Sequence, residues 1–423
     1  DGTAGFYDLG AIVAHKFNDK HSLNIYGYYS HDRFAFNSNE KYGYNNLNAS
    51  ARWRAVFNER LVGYFSAGYD HYDYNNRETV NASSAYKLSF DINQYFVKAD
   101  FTNKLTGNNT LNFGFKSMLY NINSGTYEPE GSESLVKKDA LQKDKALETA
   151  FYLGDEWEIT PKLSVNAGIR YYKYEPGTLP HESTITDTIT AGAGKVMKTY
   201  HGPEFRLSAR YSFTDDFSIK AGFNSMRQYI HKLSNTVIMS PTDTWKLSDV
   251  NIKPQKGWQA AAGLYLNSPN GIWEYSVEGY YKRMSDYLDY RGGAKLLMNH
   301  HIETDVINTQ GHAYGVELQV KKQVGKLNGW MSYTYSRTFL RQNDKRIEKP
   351  VNNGDWYPTE YDKPHDFKFV GNYKFTHRYS MSINVDYSTG RPTTIPAGQY
   401  YDESTQSMRA YYTERNSYRI PDY

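Results

Sequence analysis

The segment Leu163-Ser-Val-Asn-Ala-Gly-Ile-Arg-Tyr171 alternates strictly. Leu163, Val165, Ala167, Ile169 and Tyr171 fall on one side, and Ser164, Asn166, Gly168 and Arg170 on the other. A period of two means a β-strand with unlike faces. Segments of this kind recur along the chain and hold most of its 41 tyrosines among 423 residues. In a soluble sandwich the apolar face meets another sheet. In a membrane barrel it meets lipid, with Tyr and Trp at the two water boundaries. Alternation alone does not separate these, so composition has to.

The apolar fraction is 39% and mean hydropathy is −0.76, both low for a chain with several globular cores, while aromatics reach 16%. No run of about 20 apolar residues, the length of a membrane-spanning helix, is present. Low average hydropathy with abundant aromatics is what a one-face-greasy barrel gives. The balance of 49 basic against 46 acidic residues, net +3, argues against a nucleic-acid surface. The absence of Cys removes disulfides and thiolate metal sites. No signal peptide is visible, and the chain opens on Asp1-Gly-Thr without Met, which reads as a processed or missing start.

Connections between strands are unequal. Short turns recur at Asn18-Asp19-Lys20, Asn58-Glu59, Thr106–Asn109, Thr160-Pro161-Lys162, Thr214-Asp215-Asp216, Pro269-Asn270-Gly271, Gly325-Lys326-Leu327 and Thr376-His377-Arg378. Alternating runs flank most of them, as in hairpins. Long polar stretches separate the hairpins: Ser124–Asp144, Pro176–Lys198, Lys232–Lys256, Gly292–Asp305 and Arg341–Lys363. So many long loops would be unusual in a soluble domain. Tight turns on one side and long loops on the other are what an up-and-down outer-membrane barrel predicts. About sixteen strands are expected, many of roughly ten residues or more, the length of a tilted spanning strand. The inward face carries both charge signs, with Arg52, Arg54, Arg206, Arg210, Glu274, Glu278, Lys282, Lys368 and Asp386. A large barrel with such a lining holds water or a plug.

Asp155–Tyr171, Asn308–Leu318 with Gly329–Ser336, Tyr361-Asp-Lys-Pro-His-Asp-Phe367 and Tyr387-Ser-Thr-Gly-Arg-Pro-Thr393 occur in this order. Together with Gln228-Tyr-Ile-His231 and Ser240–Trp245 they resemble the barrel of TonB-dependent outer-membrane receptors of the Bacteroidetes lineage. The resemblance implies an all-β, antiparallel, 22-stranded barrel with an N-terminal plug that is pulled by the inner-membrane protein TonB. The first strand descends and the last ascends, so residues 1–423 are expected to be a partial barrel, roughly strands 4 to 19. Plug and last strands would lie outside this sequence. The implied setting is the bacterial outer membrane, with its lipid, TonB and a surface lipoprotein as partners, and with no cofactor.

Candidate sites divide between chemistry and packing. His300, His301, Glu303 and Asp305 could bind a metal, since imidazole and carboxylate suit Zn or Cu; the blander and preferred reading is a polar outer loop, with no metal. His365 beside Asp366 could suggest acid–base work, but a backbone-bonded family motif is the better reading, with no catalytic residue assigned. Neither Gly-x-Ser-x-Gly nor His-Glu-x-x-His nor a phosphate loop occurs. Trp245, Trp258, Trp356 and Tyr357 sit in or beside long loops and could stack on a ligand; an upper aromatic girdle or loop packing is the blander and preferred reading. Arg206, Arg210 and Glu278 on the lumen face would grip a plug. Outward Tyr29, Tyr69, Tyr281 and Tyr387 are expected in an outer girdle and Tyr211 in a periplasmic one. Tyr26, Tyr28, Tyr64 and Tyr172 are expected inside. The functional expectation is TonB-driven import of an iron–chelate, cobalamin, peptide or glycan. A non-transporting scaffold is the alternative. An outer-membrane enzyme, with His365 or Ser240 at its centre, is disfavoured.

Overall fold

A computed structural model describes residues 2–35, 37, 39–177, 196–233, 244–290, 294, 296–342, 349–403, 407–412 and 414–423. Ser240, considered above as a nucleophile, lies outside the described residues. Sixteen long strands form the wall. They are β1 (Thr3–Lys16), β2 (His21–Ala35), β3 (Glu40–Val56), β4 (Leu61–Glu78), β5 (Tyr86–Thr106) and β6 (Asn109–Pro129). Next come β7 (Asp144–Thr160), β8 (Leu163–Pro176), β9 (Tyr200–Ser212), β10 (Phe217–Gln228) and β11 (Gln255–Asn267). The last are β12 (Trp273–Tyr290), β13 (Val306–Lys322), β14 (Leu327–Gln342), β15 (His365–Lys374) and β16 (Ser380–Ser388).

Each strand pairs antiparallel with the next, in one continuous sheet. Among the described residues β1 pairs only with β2 and β16 only with β15. The expected hairpins are present, and their turn residues do the expected work. Asn18 and Asn58 each accept backbone N–H bonds two and three residues on, at 2.9 Å. Thr160 and Thr376 do the same with their hydroxyls. This local bonding replaces the ladder at the reversal and ends each strand there.

The two faces differ as alternation requires. One face exposes Phe151, Leu153, Ile169, Tyr171, Phe205, Leu207, Val277, Val316, Leu318, Ile383 and Val385. Aromatics flank this band at both ends. Beside the short turns lie Trp53 with Phe65, Tyr211 with Phe213 and Trp273 with Tyr275. Toward the long loops lie Tyr7 with Tyr29, Tyr69 with Tyr95, and Trp258 with Tyr281. The other face carries the charges, including Arg170 bridged to Glu148 and Glu204 at 2.7 and 3.1 Å, and Arg52 stacked over Tyr64.

No helix among the described residues is long and apolar enough to cross a membrane. The spanning elements are strands, and strands have to close their backbone bonds with neighbours because lipid offers none.

Candidate functional site

The long-loop end is where the inner face stops being open. After β10 the chain turns inward as a ribbon, Ile230–Leu233 paired with Thr244–Leu247. Short alternation drives it: Leu233 and Leu247 are buried, while Trp245 and Ile230 pack at the margin of a core. That core is built from the inner faces of β5 to β8, with Ile92, Tyr120, Ile122, Ala146, Ala150, Tyr172 and Tyr174. Tyr229 stacks on Tyr174 with centroids 4.4 Å apart and planes 10° apart. Each such large apolar side chain contributes about 1.5–3 kcal/mol on full burial. Tyr172, expected to line the lumen or pack a plug, instead packs the chain's own ribbon.

Polar bonds fix the ribbon to four strands. Ser124 of β6 donates to the Trp245 carbonyl at 2.9 Å, Tyr174 of β8 to that of Ser248 at 2.9 Å, and Tyr200 of β9 to that of Asp249 at 2.7 Å. Asp144 of β7 holds Lys246 at 2.8 Å, and Asp249 adds a second carboxylate at 3.4 Å. Burial alone would lower the Lys246 pKa, but the two carboxylates overrule it and hold the ammonium charged. His231 is buried, bonds Ser248 at 2.7 Å and is pushed down to about 4 by burial.

Among the described residues the ribbon borders two larger cavities, one along each strand. The first, about 270 Å³, is lined by Lys232 and Leu233 of the ribbon and by Asp289, Tyr290, Tyr357 and Arg415. A bulge between Met284 and Tyr287 creates its wall. One extra residue, Asp286 among the pair, shifts the parity of β12. Tyr287 and Asp289 thereby face inward, opposite Thr309 and Ile307. Asp289 accepts from Tyr357 at 2.5 Å and from Arg415 at 2.7 Å. Burial and then Asp289 raise the Tyr357 pKa, so this phenol stays a donor. The second cavity, about 470 Å³, lies along Thr244 and Lys246 and is closed by residues 299–303.

Of the four proposed ligand aromatics, Tyr357 lines the first cavity. Trp245 packs the ribbon. Trp258 and Trp356 lie on the outer face: Trp258 is 5.6 Å from Tyr281, and Trp356 meets His312 edge-on at 4.4 Å beneath Arg341. Loop proximity in sequence gave no information on which face each ring takes. Arg206 and Arg210 share the face of the inward, buried Glu204, and Glu278 stands opposite Glu317 on the same face. Of the acidic and histidine cluster, His300, His301 and Glu303 line the second cavity, while His300 and Asp305 are each bonded elsewhere. His300 bonds Asp139 at 2.9 Å and Asp305 accepts from Asn299 at 2.7 Å. Among the described residues no group of three His, Asp or Glu is placed to hold a metal. His365 bonds Tyr333 at 2.8 Å on the outer face. Its strand neighbour Asp366 points to the other face, 3.6 Å from Lys368.

Sequence reasoning missed three charged groups that hold the loops. Asp362, wholly buried, accepts from Arg337 at 3.2 Å, Arg419 at 2.7 Å and the Thr338 amide at 2.8 Å. It belongs to the Tyr361–Phe367 motif, whose order pointed to it without giving its role. Asp289 was hidden by the bulge, and Arg415 sits on a segment with no period.

The family model for TonB dependent receptor-like β-barrels matches residues 2–423. No curated protein matches the sequence. Among solved structures, the chain resembles the ferripyoverdine receptor of the outer membrane of Pseudomonas aeruginosa (TM-score 0.64, 12% identity), covering 100% of this chain and 58% of that one. The ferric citrate transporter FecA gives 0.67 at 12%, covering 100% and 61%. The copper transporter OprC gives 0.66 at 12%, covering 92% and 59%. The chain thus spans about three fifths of the length of these structures, and at such identity the likeness is one of fold.

Proposed function

Because this chain belongs to the TonB-dependent receptor β-barrel family, we propose that it forms the wall of an importer that takes up a scarce nutrient across the bacterial outer membrane. The observation that carries this reading is the pair of cavities at the long-loop end, inside an apolar-banded wall with a charged lining. The ligand would be an iron–chelate, cobalamin, peptide or glycan, captured by the loops. In the whole protein a plug would fill the lumen, gripped in part by Arg206, Arg210 and Glu278, and TonB would pull on it. The motif order adds a Bacteroidetes-type subgroup and a surface lipoprotein partner to the proposal. Tyr357 is the aromatic best placed to meet a ligand; Trp245, Trp258 and Trp356 would act through packing.

Cells carrying the full-length gene, with and without TonB, decide this. Uptake of one labelled compound from a panel of ferric chelates, cobalamin, oligopeptides and glycans should require both proteins. Uptake that persists without TonB would reject the proposal.

A second reading is a receptor-fold scaffold that no longer transports, and the docked ribbon favours it, since it occupies the upper lumen. A disulfide tying the ribbon to β8 should block uptake in an importer. In a scaffold it should leave assembly with a lipoprotein unchanged.

A further inference from the structure

The second cavity contains a buried carboxylate without a hydrogen-bond partner. Glu303 is 1% exposed, and neither of its oxygens has a hydrogen-bond partner. Buried acceptors are bonded as a rule, and a carboxylate with both oxygens unbonded calls for a water, an ion or a ligand group to complete it. The neighbours do not neutralise it. Lys246, the ammonium lining the same cavity, is already held between Asp144 and Asp249. His300 is bonded to Asp139. His301 Nδ1 stands 3.7 Å from Glu303 Oε1, beyond hydrogen-bonding reach, on a half-exposed imidazole. The one ammonium in the lining, Lys246, is thus committed to carboxylates outside the cavity, and Glu303 is the lining's one carboxylate.

We propose that this cavity binds a cationic organic group, a primary ammonium or a guanidinium, with Glu303 as its counter-ion. Two observations select an organic cation over a bare metal ion. The space, about 470 Å³, exceeds an ion many times over. The donor set lacks three metal-ligating side chains among the described residues. A two-oxygen carboxylate suits a forked or multiply donating cation, and Thr244, Gln142 and Asn299 surround it with neutral polar groups. The site lies beside the docked ribbon, so its occupant would touch the element that fills the upper lumen. The proposal deepens the importer reading by naming a cationic ligand class, and it rests on that reading only for the ligand's fate after binding.

The test is calorimetric titration of the purified full-length protein in detergent with cadaverine, a primary diamine, against 1,5-pentanediol, its neutral counterpart. Cadaverine should bind saturably and the diol should not. Glu303→Gln should weaken cadaverine by about tenfold or more, with heat-modifiable gel mobility reporting that the barrel is folded. Equal binding by folded Glu303→Gln, or equal binding of diol and diamine by the unaltered protein, would overturn the proposal. Saturable Zn²⁺ binding in place of cadaverine, lost in both Glu303→Gln and His301→Ala, would replace the amine with a metal and also overturn it. TonB-independent uptake with this titration intact would remove the importer reading and leave the site standing.

Discussion

At the residue scale, buried charges decide whether the ribbon stays docked. Lys246 sits between two carboxylates, so Lys246→Met leaves Asp144 and Asp249 facing each other with no cation. Removing one member of a buried ionic group costs roughly 3–5 kcal/mol. The expected result is fast hydrogen exchange at ribbon amides with the wall still protected. His231 adds a pH dependence. Its folded-state pKa, about 4, lies below its ordinary value of 6.5. The undocked ribbon therefore binds a proton more readily in that window. Docking is strongest above pH 6.5 and weakens as pH falls toward 4, by up to roughly 3 kcal/mol. Exchange of the 229–252 amides across this range checks it, and His231→Leu should flatten the profile. Such residues were half legible. The Tyr361–Phe367 motif contains Asp362 without showing its role, and Asp289 and Arg415 are 126 positions apart, so no local pattern links them.

At the element scale, facing is the testable property. Val277 and Ser276 are adjacent on β12, between the Tyr275 and Tyr281 girdles, and point to opposite sides. Val277→Arg should cost roughly 2–4 kcal/mol in refolding into lipid, and Ser276→Arg about zero. Denaturant titrations in vesicles compare them directly. Gly329 on β14 has φ +152°, and a Cβ there would lie 2.0 Å from the Val370 carbonyl. Gly329→Ala should strain the β14–β15 pair by roughly 1–3 kcal/mol, read as a lower yield of folded, heat-modifiable protein. The strands themselves were legible because alternation and turn chemistry are local: Leu163–Tyr171, with Thr160 ahead of it, predicts its own hairpin. The bulge after Met284 was not legible, since an extra residue leaves no mark in composition and inverts every facing beyond it. Sequence alone reads the ribbon as loop, because the four-residue strands Ile230–Leu233 and Thr244–Leu247 are too short to register a period.

At the scale of the whole molecule, unequal connections distinguish a tight-turn end of the wall from a long-loop end. The inward course of a long loop is a tertiary fact that loop length does not carry. One feature of the wall bears on how the receptor meets its surroundings. β5 and β6 run for 21 residues each, while β15 and β16 run for 10 and 9. The difference is 11 to 12 residues of strand, which at about 3.3 Å per residue is roughly 35–40 Å along the strand, on one side of the wall only. The rim is therefore a slope rather than a ring. On the importer reading proposed above, a ligand reaching the long-loop end would meet the mouth obliquely, over the low side at β15 and β16. A receptor spinning freely in its leaflet would then present a good approach for only part of each turn.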